Sequence, residues 1–532
     1  MKYKVYKIFL LAVLSLTLTN CAKRGRPTGG LKDSIPPLMV SVTPNHESTN
    51  FVAKKIKISF DEYIKLKDIN KQLIISPPLK YPPEISPVGT ASKFISIKIL
   101  DTLKENTTYT FNFGNSIADN NEENKLEQFK YVVSTGTYID SLKINGKVFD
   151  AFNQKTDNHI SVMLYEINEN YTDSLIYKEK PLYVTSTLDT TNFEFSNLKA
   201  GKYFMVAIKQ ATNTYIYKPQ QDKIGFLQDT ITLPTDKSFT IPIFKEVLPF
   251  KMTKPKEVSK GKILFGYEGN AKDLIIKLLD NTPNNFKQEL LFEKGKDSLN
   301  YWYSDIENDS LMFEISNLDF KDTLTVQLRS SKKDTVVLKS NISTTLHLRD
   351  TFSISSNIPI VQIDTTKISL INKDSIAIPF NVKTDPFKTR LLINFKKEVK
   401  TDYNLQLLPK SISDIFENTN DTLSYKFSTK DFEDYGNLNL NVSNVNSPVI
   451  VQLVTEKGTI IASERISTDK TVKFNNILPN KYLIRAIFDD NNNGRWDTGN
   501  FLLKINSERV QYFETEPEIK ANWDENENFR LK

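Results

Sequence analysis

In run after run of this chain, apolar residues fall at every second position, and that period constrains the fold more than any other feature. KKIKISF (54–60), KFISIKIL (93–100), TYTFNFG (108–114) and FKYVVST (129–135) all show it. Side chains reverse face at each residue of an extended chain, so these runs have one apolar and one polar side, as half-buried antiparallel strands require. Thr, Val, Ile, Tyr and Phe fill them, while the Ala-, Leu- and Glu-rich windows that nucleate long helices are scarce. A length of 532 residues exceeds one ordinary core and implies roughly three to five domains. The expectation is an all-β chain, with tandem β-sandwiches in an elongated array.

Internal repeats sharpen this expectation. Tyr109 to Thr135 reads YTFNFGNSIADNNEENKLEQFKYVVST, and Tyr403 to Thr429 reads YNLQLLPKSISDIFENTNDTLSYKFST. Each runs strand, Ser-Ile, an Asp (Asp119, Asp414), an Asn-rich turn, and a strand closing on Ser-Thr. Each is followed by a second matching pair, FSNLKAGKYFMVAI from Phe195 to Ile208 and FNNILPNKYLIRAI from Phe474 to Ile487. The order is the same both times, which reads as a duplicated two-module unit.

The stretch from Ile35, with IPPLMVSVTPNHES, KKIKISFDEYI, YTFNF, Asp119 and the terminal STG, resembles the bacterial Ig-like domain of S-layer proteins. The stretch from Lys143, with INGKVFDA, VMLYE, FEFSNLKAGKYFMVAI and KIGF, resembles the carboxypeptidase regulatory-like, transthyretin-type β-sandwich. The expected domains are therefore an Ig-like domain (34–138), a regulatory-like sandwich (139–245), a sandwich of unassigned type (246–345), a degenerate Ig-like copy (346–432) and a second regulatory-like sandwich (433–532). The resemblance implies a scaffold, since such Ig-like modules act as spacers, adhesive or assembly units and the regulatory-like sandwich carries no peptidase chemistry of its own.

The N-terminus sets the expected location. Lys2, Lys4 and Lys7 precede IFLLAVLSLTLT, an apolar run too short to span a bilayer, so 1–20 reads as a secretory signal peptide. Leu18-Thr19-Asn20-Cys21 then resembles a bacterial lipobox, although Asn20 stands where a small residue is usual. The resemblance implies cleavage before Cys21 and acylation of that residue, and its several acyl chains would give stable anchoring. Residues 21–33 read as a flexible tether. No aspartate follows Cys21, which resembles the default sorting of Gram-negative lipoproteins to the outer membrane, facing the periplasm; display at the cell surface is the alternative. The partners expected are the membrane, through the lipid anchor, and other cell-envelope proteins. With 70 basic and 64 acidic side chains interleaved along the chain, nucleic-acid binding is not indicated.

Candidate chemistry is sparse. The three histidines, His46, His159 and His347, fall in three different expected modules, and no G-x-S-x-G, H-E-x-x-H, C-x-x-C or Walker A pattern accompanies them. Asp61 and Glu62 are read as polar residues at a strand end. Phe193, Phe195, Tyr203 and Phe204 lie on the apolar phase of strands and are expected in a core. The function expected is a non-enzymatic scaffold, adhesion or assembly module, with a glycan- or peptide-binding accessory of an outer-membrane transporter as the alternative.

One loop stands apart. In FDDNNNGRWDTG (488–499), Asp489, Asn491, Asn493, the Arg495 carbonyl and Asp497 have the spacing of calcium ligands around Gly494. The same letters also describe a hairpin in which Asn493-Gly494 supplies two residues with positive φ and the Asp and Asn side chains satisfy the loop backbone. Aligning GKYFMVAI with NKYLIRAI sets Gln210, Thr212 and Thr214 opposite Asp489, Asn491 and Asn493, and Tyr215 opposite Gly494. The earlier copy lacks the acidic ligands, so calcium is a candidate cofactor for this one loop and not a requirement of the fold.

Overall fold

The structure, a computed structural model, describes residues 33–532; the signal peptide and Cys21 lie outside the described residues. It is all-β, a series of β-sandwiches, and the described residues include one four-residue α-helix, Ile69–Gln72. No helix among the described residues is long and apolar enough to cross a membrane. The chain divides into two compact units, residues up to 143 with 196–199, and 144–195 with 200–532.

In the first unit, strands Met39–Thr43, Lys55–Leu66, Ser92–Lys98 and Glu84–Ser86 lie side by side, and Ile117–Asp119 joins the far end of Lys55–Leu66. Ile74–Ser76, Thr108–Asn112 and Lys130–Ser134 make the other sheet. The alternation of KKIKISF is realised directly. Ile56, Ile58 and Phe60 are buried against Ile95, Ile97, Phe111 and Tyr131, while Lys55 and Lys57 are exposed. Each such fully buried side chain contributes about 1.5–3 kcal/mol.

Apart from residues 142–143 and 196–199, the second unit holds four more sandwiches, with strand limits 142–243, 251–327, 338–428 and 436–530. In the 142–243 sandwich, Leu142–Asp150 lies between Asn192–Leu198 and a parallel closing strand, Ser238–Ile243. In the 436–530 sandwich, Gly436–Ser443 likewise lies between Lys470–Ile477 and a parallel closing strand, Asp524–Arg530. Each central strand carries a glycine where a neighbouring backbone comes close: a Cβ on Gly146 would sit 2.2 Å from the Phe239 carbonyl oxygen, and one on Gly436 2.3 Å from that of Lys520. Phe193, Phe195, Tyr203 and Phe204 are all buried, but Tyr203 and Phe204 are neighbours in one strand and face opposite sides, so a single apolar phase does not account for both. Between these two sandwiches in sequence come one spanning 251–327 and one spanning 338–428. They meet at an apolar joint where Leu291 and Trp302 pack with Ile358 and Ile415.

The repeated letters have repeated jobs. The Tyr109 hydroxyl accepts from the Lys104 N–H at 2.9 Å, and the Tyr403 hydroxyl accepts from the Glu398 N–H at 2.8 Å. Thr135 and Thr429, the last letters of the two Ser-Thr endings, accept from the N–H groups of Thr107 and Thr401. Asp119 accepts from the N–H groups of Asn121, Glu122, Glu123 and Asn124, and Asp414 from those of Phe416 and Asn418. The conserved letter in the two copies is thus a turn-closing carboxylate.

Burial of Asp119 opposes its charge, but the four N–H donors outweigh that and hold its carboxyl below the ordinary aspartate value. The folded pKa lies below the unfolded one, so the stabilisation is present above about pH 3.9 and is lost as pH falls through the folded pKa. Hydrogen exchange of 109–135 in the full chain, followed from pH 5 down to about pH 2.5, is expected to show this loss in the native protein. In Asp119→Asn the same segment starts less protected and lacks that component of the acid dependence; an unchanged pH profile would rule it out.

Candidate functional site

The FDDNNNGRWDTG segment leaves the sheet at the end of strand Leu483–Phe488, and the chain returns only at Val510–Tyr512. It is therefore no two-residue hairpin. Positive φ occurs at Asn492 (63°) and Gly494 (81°), not at the adjacent pair Asn493-Gly494. The reason is Asp489, which is wholly buried and folds the chain around its own carboxylate. One oxygen accepts from the Asn493 N–H at 2.8 Å, the other from the Gly494 N–H at 2.9 Å, and the Arg465 guanidinium stands 2.7 Å from the latter.

A second carboxylate closes the base of the loop. Glu508 accepts from the N–H groups of Asp490 and Asp497, at 3.0 and 2.9 Å. Partial burial and the nearby Asp497 push its carboxyl up, against the N–H donors that favour its charge. Of the five residues expected to offer oxygens, Asp489, Asn491, Asn493 and Asp497 do converge, with Asn491 and Asn493 both donating side-chain amides to Asp497. Arg495 is exposed and its guanidinium pairs with Asp497 at 3.3 Å. Among the described residues no group of three or more His, Cys, Asp or Glu side chains has a metal-holding arrangement. A cation here would have to displace Arg465 from Asp489 and turn the two asparagine amides.

The earlier copy builds a similar turn around a neutral amide, whose NH2 donates to the buried Asp222 carboxylate at 2.9 Å. Gln210 takes the place of Asp489, its side-chain oxygen accepting from the Tyr215 N–H at 3.0 Å, and Tyr215 adopts the positive φ (60°) that Gly494 supplies in the later copy. The alignment made from sequence therefore holds residue for residue at these two positions.

The larger role of the loop was not visible in the sequence. It docks the 436–530 sandwich onto the 142–243 sandwich. Phe501 is fully buried, with its ring 5.3–6.2 Å from those of Phe226, Phe204 and Tyr177. Its N–H donates to Glu246, whose other oxygen accepts from the Tyr217 hydroxyl at 2.7 Å. Burial, and then the bond to Glu246, push the Tyr217 phenol far up, so it stays a donor at any ordinary pH; Tyr177 is pushed up to about 12, chiefly by burial. Lys504 pairs with Asp173 at 2.7 Å and lies over the Phe501 and Phe204 rings at 4.1 and 4.3 Å. Nearer the sheet, Trp496 packs on Phe152 at 4.8 Å, the buried Arg485 guanidinium lies over that same ring at 4.3 Å, and the Tyr512 hydroxyl donates to the Phe152 carbonyl. The contact thus combines an aromatic plug, cation–π pairs and satisfied hydrogen bonds, the composition of a specific interface.

Residues 33–135 match the bacterial Ig-like domain family. That match covers the first sandwich. A search of curated proteins returns no match. Among solved structures, an I-band fragment I67-I69 from titin aligns at 13% identity over 54% of this chain and 100% of its own, with a TM-score of 0.12. Domains 1-6 of surface layer protein SbsC align at 12% over 91% of this chain and 67% of their own, with a TM-score of 0.15. The Bacillus anthracis TIE protein aligns at 11% over 95% and 76%, with a TM-score of 0.14. Overlaps of this size bear on neither function nor the arrangement of modules.

The remaining sequence candidates stay apart. The His46 ring nitrogen accepts from the Val132 N–H, His159 stands 3.3 Å from Asp189, and His347 lies beside the Tyr435 hydroxyl, so each has a separate partner. Asp61 accepts from the Leu38 N–H, and Glu62 is raised by burial and then by the charges of Asp119, Asp61, Asp33 and Glu122. Cys21 lies outside the described residues.

Proposed function

We propose that this protein is a non-enzymatic scaffold of the bacterial cell envelope, lipid-anchored through Cys21 to the outer membrane and facing the periplasm, where it holds other envelope proteins in place. The observation that carries the scaffold reading is the buried clasp around Phe501. Two sandwiches far apart in sequence are fastened by a fully buried ring and the groups that surround it, which is what a protein whose product is geometry needs. The series of sandwiches leaves loops at their ends available for contacts. The lipobox-like Leu18-Thr19-Asn20-Cys21 and the bacterial Ig-like match over 33–135 support the envelope location.

The anchor is tested by labelling cells with an alkyne palmitate analogue and fractionating their membranes. The label is expected on the native protein in the outer-membrane fraction, and Cys21→Ala is expected to lose the label and leave that fraction. An unlabelled native protein, or a Cys21→Ala variant with unchanged fractionation, would remove the anchor from the proposal.

A further inference from the structure

A second surface of the 436–530 sandwich has no part in the clasp. Its core face carries Leu438, Leu440, Val442 and Phe529, all buried. The opposite face carries a row of side-chain pairs across the two parallel strands. Asn437 donates to Asp524 at 2.7 Å, Asn439 to Asn526 at 3.1 Å and Asn441 to Asn528 at 3.0 Å. Successive pairs recur every ~6.6 Å along the strands, so the row is ~13 Å long. Each rung is joined by one N–H···O bond; the Asn437 and Asn441 oxygens also accept, from the Asn476 N–H and the Thr471 hydroxyl, and the Asn526 amide also donates to the Asp524 carbonyl, so the capacity left for a ligand lies in the remaining amide N–H groups and oxygen lone pairs.

At its Asn437 end the row runs into a groove of about 510 Å³ flanked by Phe432 and Trp523. Both rings are 60% exposed, which is unusual for side chains of this size, and each is held out by its backbone. Asn522 takes a positive φ of 54° immediately before Trp523, whose carbonyl is tied to the Asn437 N–H. Phe432 begins a single 3-10 turn closed by reciprocal bonds between Asp431 and Asp434. The turn fixes the backbone and leaves the ring in water. Glu433 and Asp524 stand at the same end.

Exposed aromatic planes continued by a row of amides are the chemistry that fits sugar rings, which have apolar faces and hydroxyl-lined edges. We propose that this face binds a neutral oligosaccharide, one ring stacking on Trp523 and the following units tracking along Asn437/Asp524, Asn439/Asn526 and Asn441/Asn528. The carboxylates at the Trp523 end disfavour uronic acids and other anionic sugars. This site does not depend on the lipid anchor or on the clasp.

The test is calorimetric titration of the full chain with cellohexaose, chitohexaose, laminarihexaose, maltohexaose and mannohexaose. At least one is expected to bind with a dissociation constant at or below about 1 mM. Trp523→Ala is expected to weaken that binding about tenfold with the melting temperature unchanged, and Trp523→Phe to retain it within about threefold, because a ring plane is kept. Absence of heat with all five sugars up to about 5 mM would overturn the proposal, as would binding indifferent to Trp523→Ala. Self-association in sedimentation velocity that is abolished by Trp523→Ala would also overturn it, assigning the face to a second copy of this chain.

Discussion

Phe501→Ala is expected to release the 436–530 sandwich from the 142–243 sandwich without unfolding either. The ring is fully buried, but the rings 5.3–6.2 Å from it, Phe226, Phe204 and Tyr177, all belong to the other sandwich. Removing a buried Phe costs about 3–5 kcal/mol, and here the loss falls on the docking, since Leu453, Ile484 and Phe529 form a core of their own. The cation–π contact of Lys504 to that ring goes with it. Guanidinium unfolding should then separate into steps, with the 436–530 sandwich melting earlier than in the native chain. A single transition shifted by less than about 1 kcal/mol would show that the plug contributes little to docking.

Asp489→Ala should have the next largest effect. The buried carboxylate satisfies two backbone N–H groups and faces Arg465, and its removal takes the acceptor from the Gly494 N–H and leaves the Asn493 N–H only the Asn491 side-chain oxygen at 3.1 Å. Each buried donor left unpaired costs about 1–3 kcal/mol. Because Trp496 and Phe501 both follow on the same loop, the clasp should loosen as well. The penalty is expected to be the same in chelator and in millimolar calcium, since Asn493, Gly494 and Arg465 already occupy both oxygens. A melting temperature of the native protein that rises with calcium, in a manner lost in Asp489→Ala, would instead establish a metal site at Asp489, Asn491, Asn493 and Asp497.

Much of this architecture was legible because its signals are local. The period-two runs predicted Ile56, Ile58 and Phe60 in the core, and the repeats gave Asp119 and Asp414 a shared task before any contact was known. GNLNLNVS shows alternation as well, with Leu438, Leu440 and Val442 inside. That the asparagines between them would meet Asp524, Asn526 and Asn528 was hidden, because the partner is a parallel strand that arrives much later in the chain. The clasp was hidden for the same reason. FLLKINSE has neither a strand period nor a turn signature, and Phe501 reads as one apolar residue in a loop until Tyr177, Phe204 and Phe226 surround it. The calcium-like spacing falls in the loop that forms the clasp. Its geometry is governed by Asp489 and Glu508, and the second of these lies beyond the motif.

Native-state hydrogen exchange tests the central claim, that this loop fastens two sandwiches, on both sides of the contact at once. In the native chain the Phe501 amide, which donates to Glu246, should be protected far beyond an ordinary surface loop, and the Asp173–Tyr177 turn of the other sandwich should be protected with it. In Phe501→Ala, Asp173–Tyr177 should lose protection although its own sequence is untouched, while strand Val449–Val454 keeps its protection. Rapid exchange at Phe501 in the native chain, or unchanged exchange at Asp173–Tyr177 in the variant, would contradict the docked arrangement.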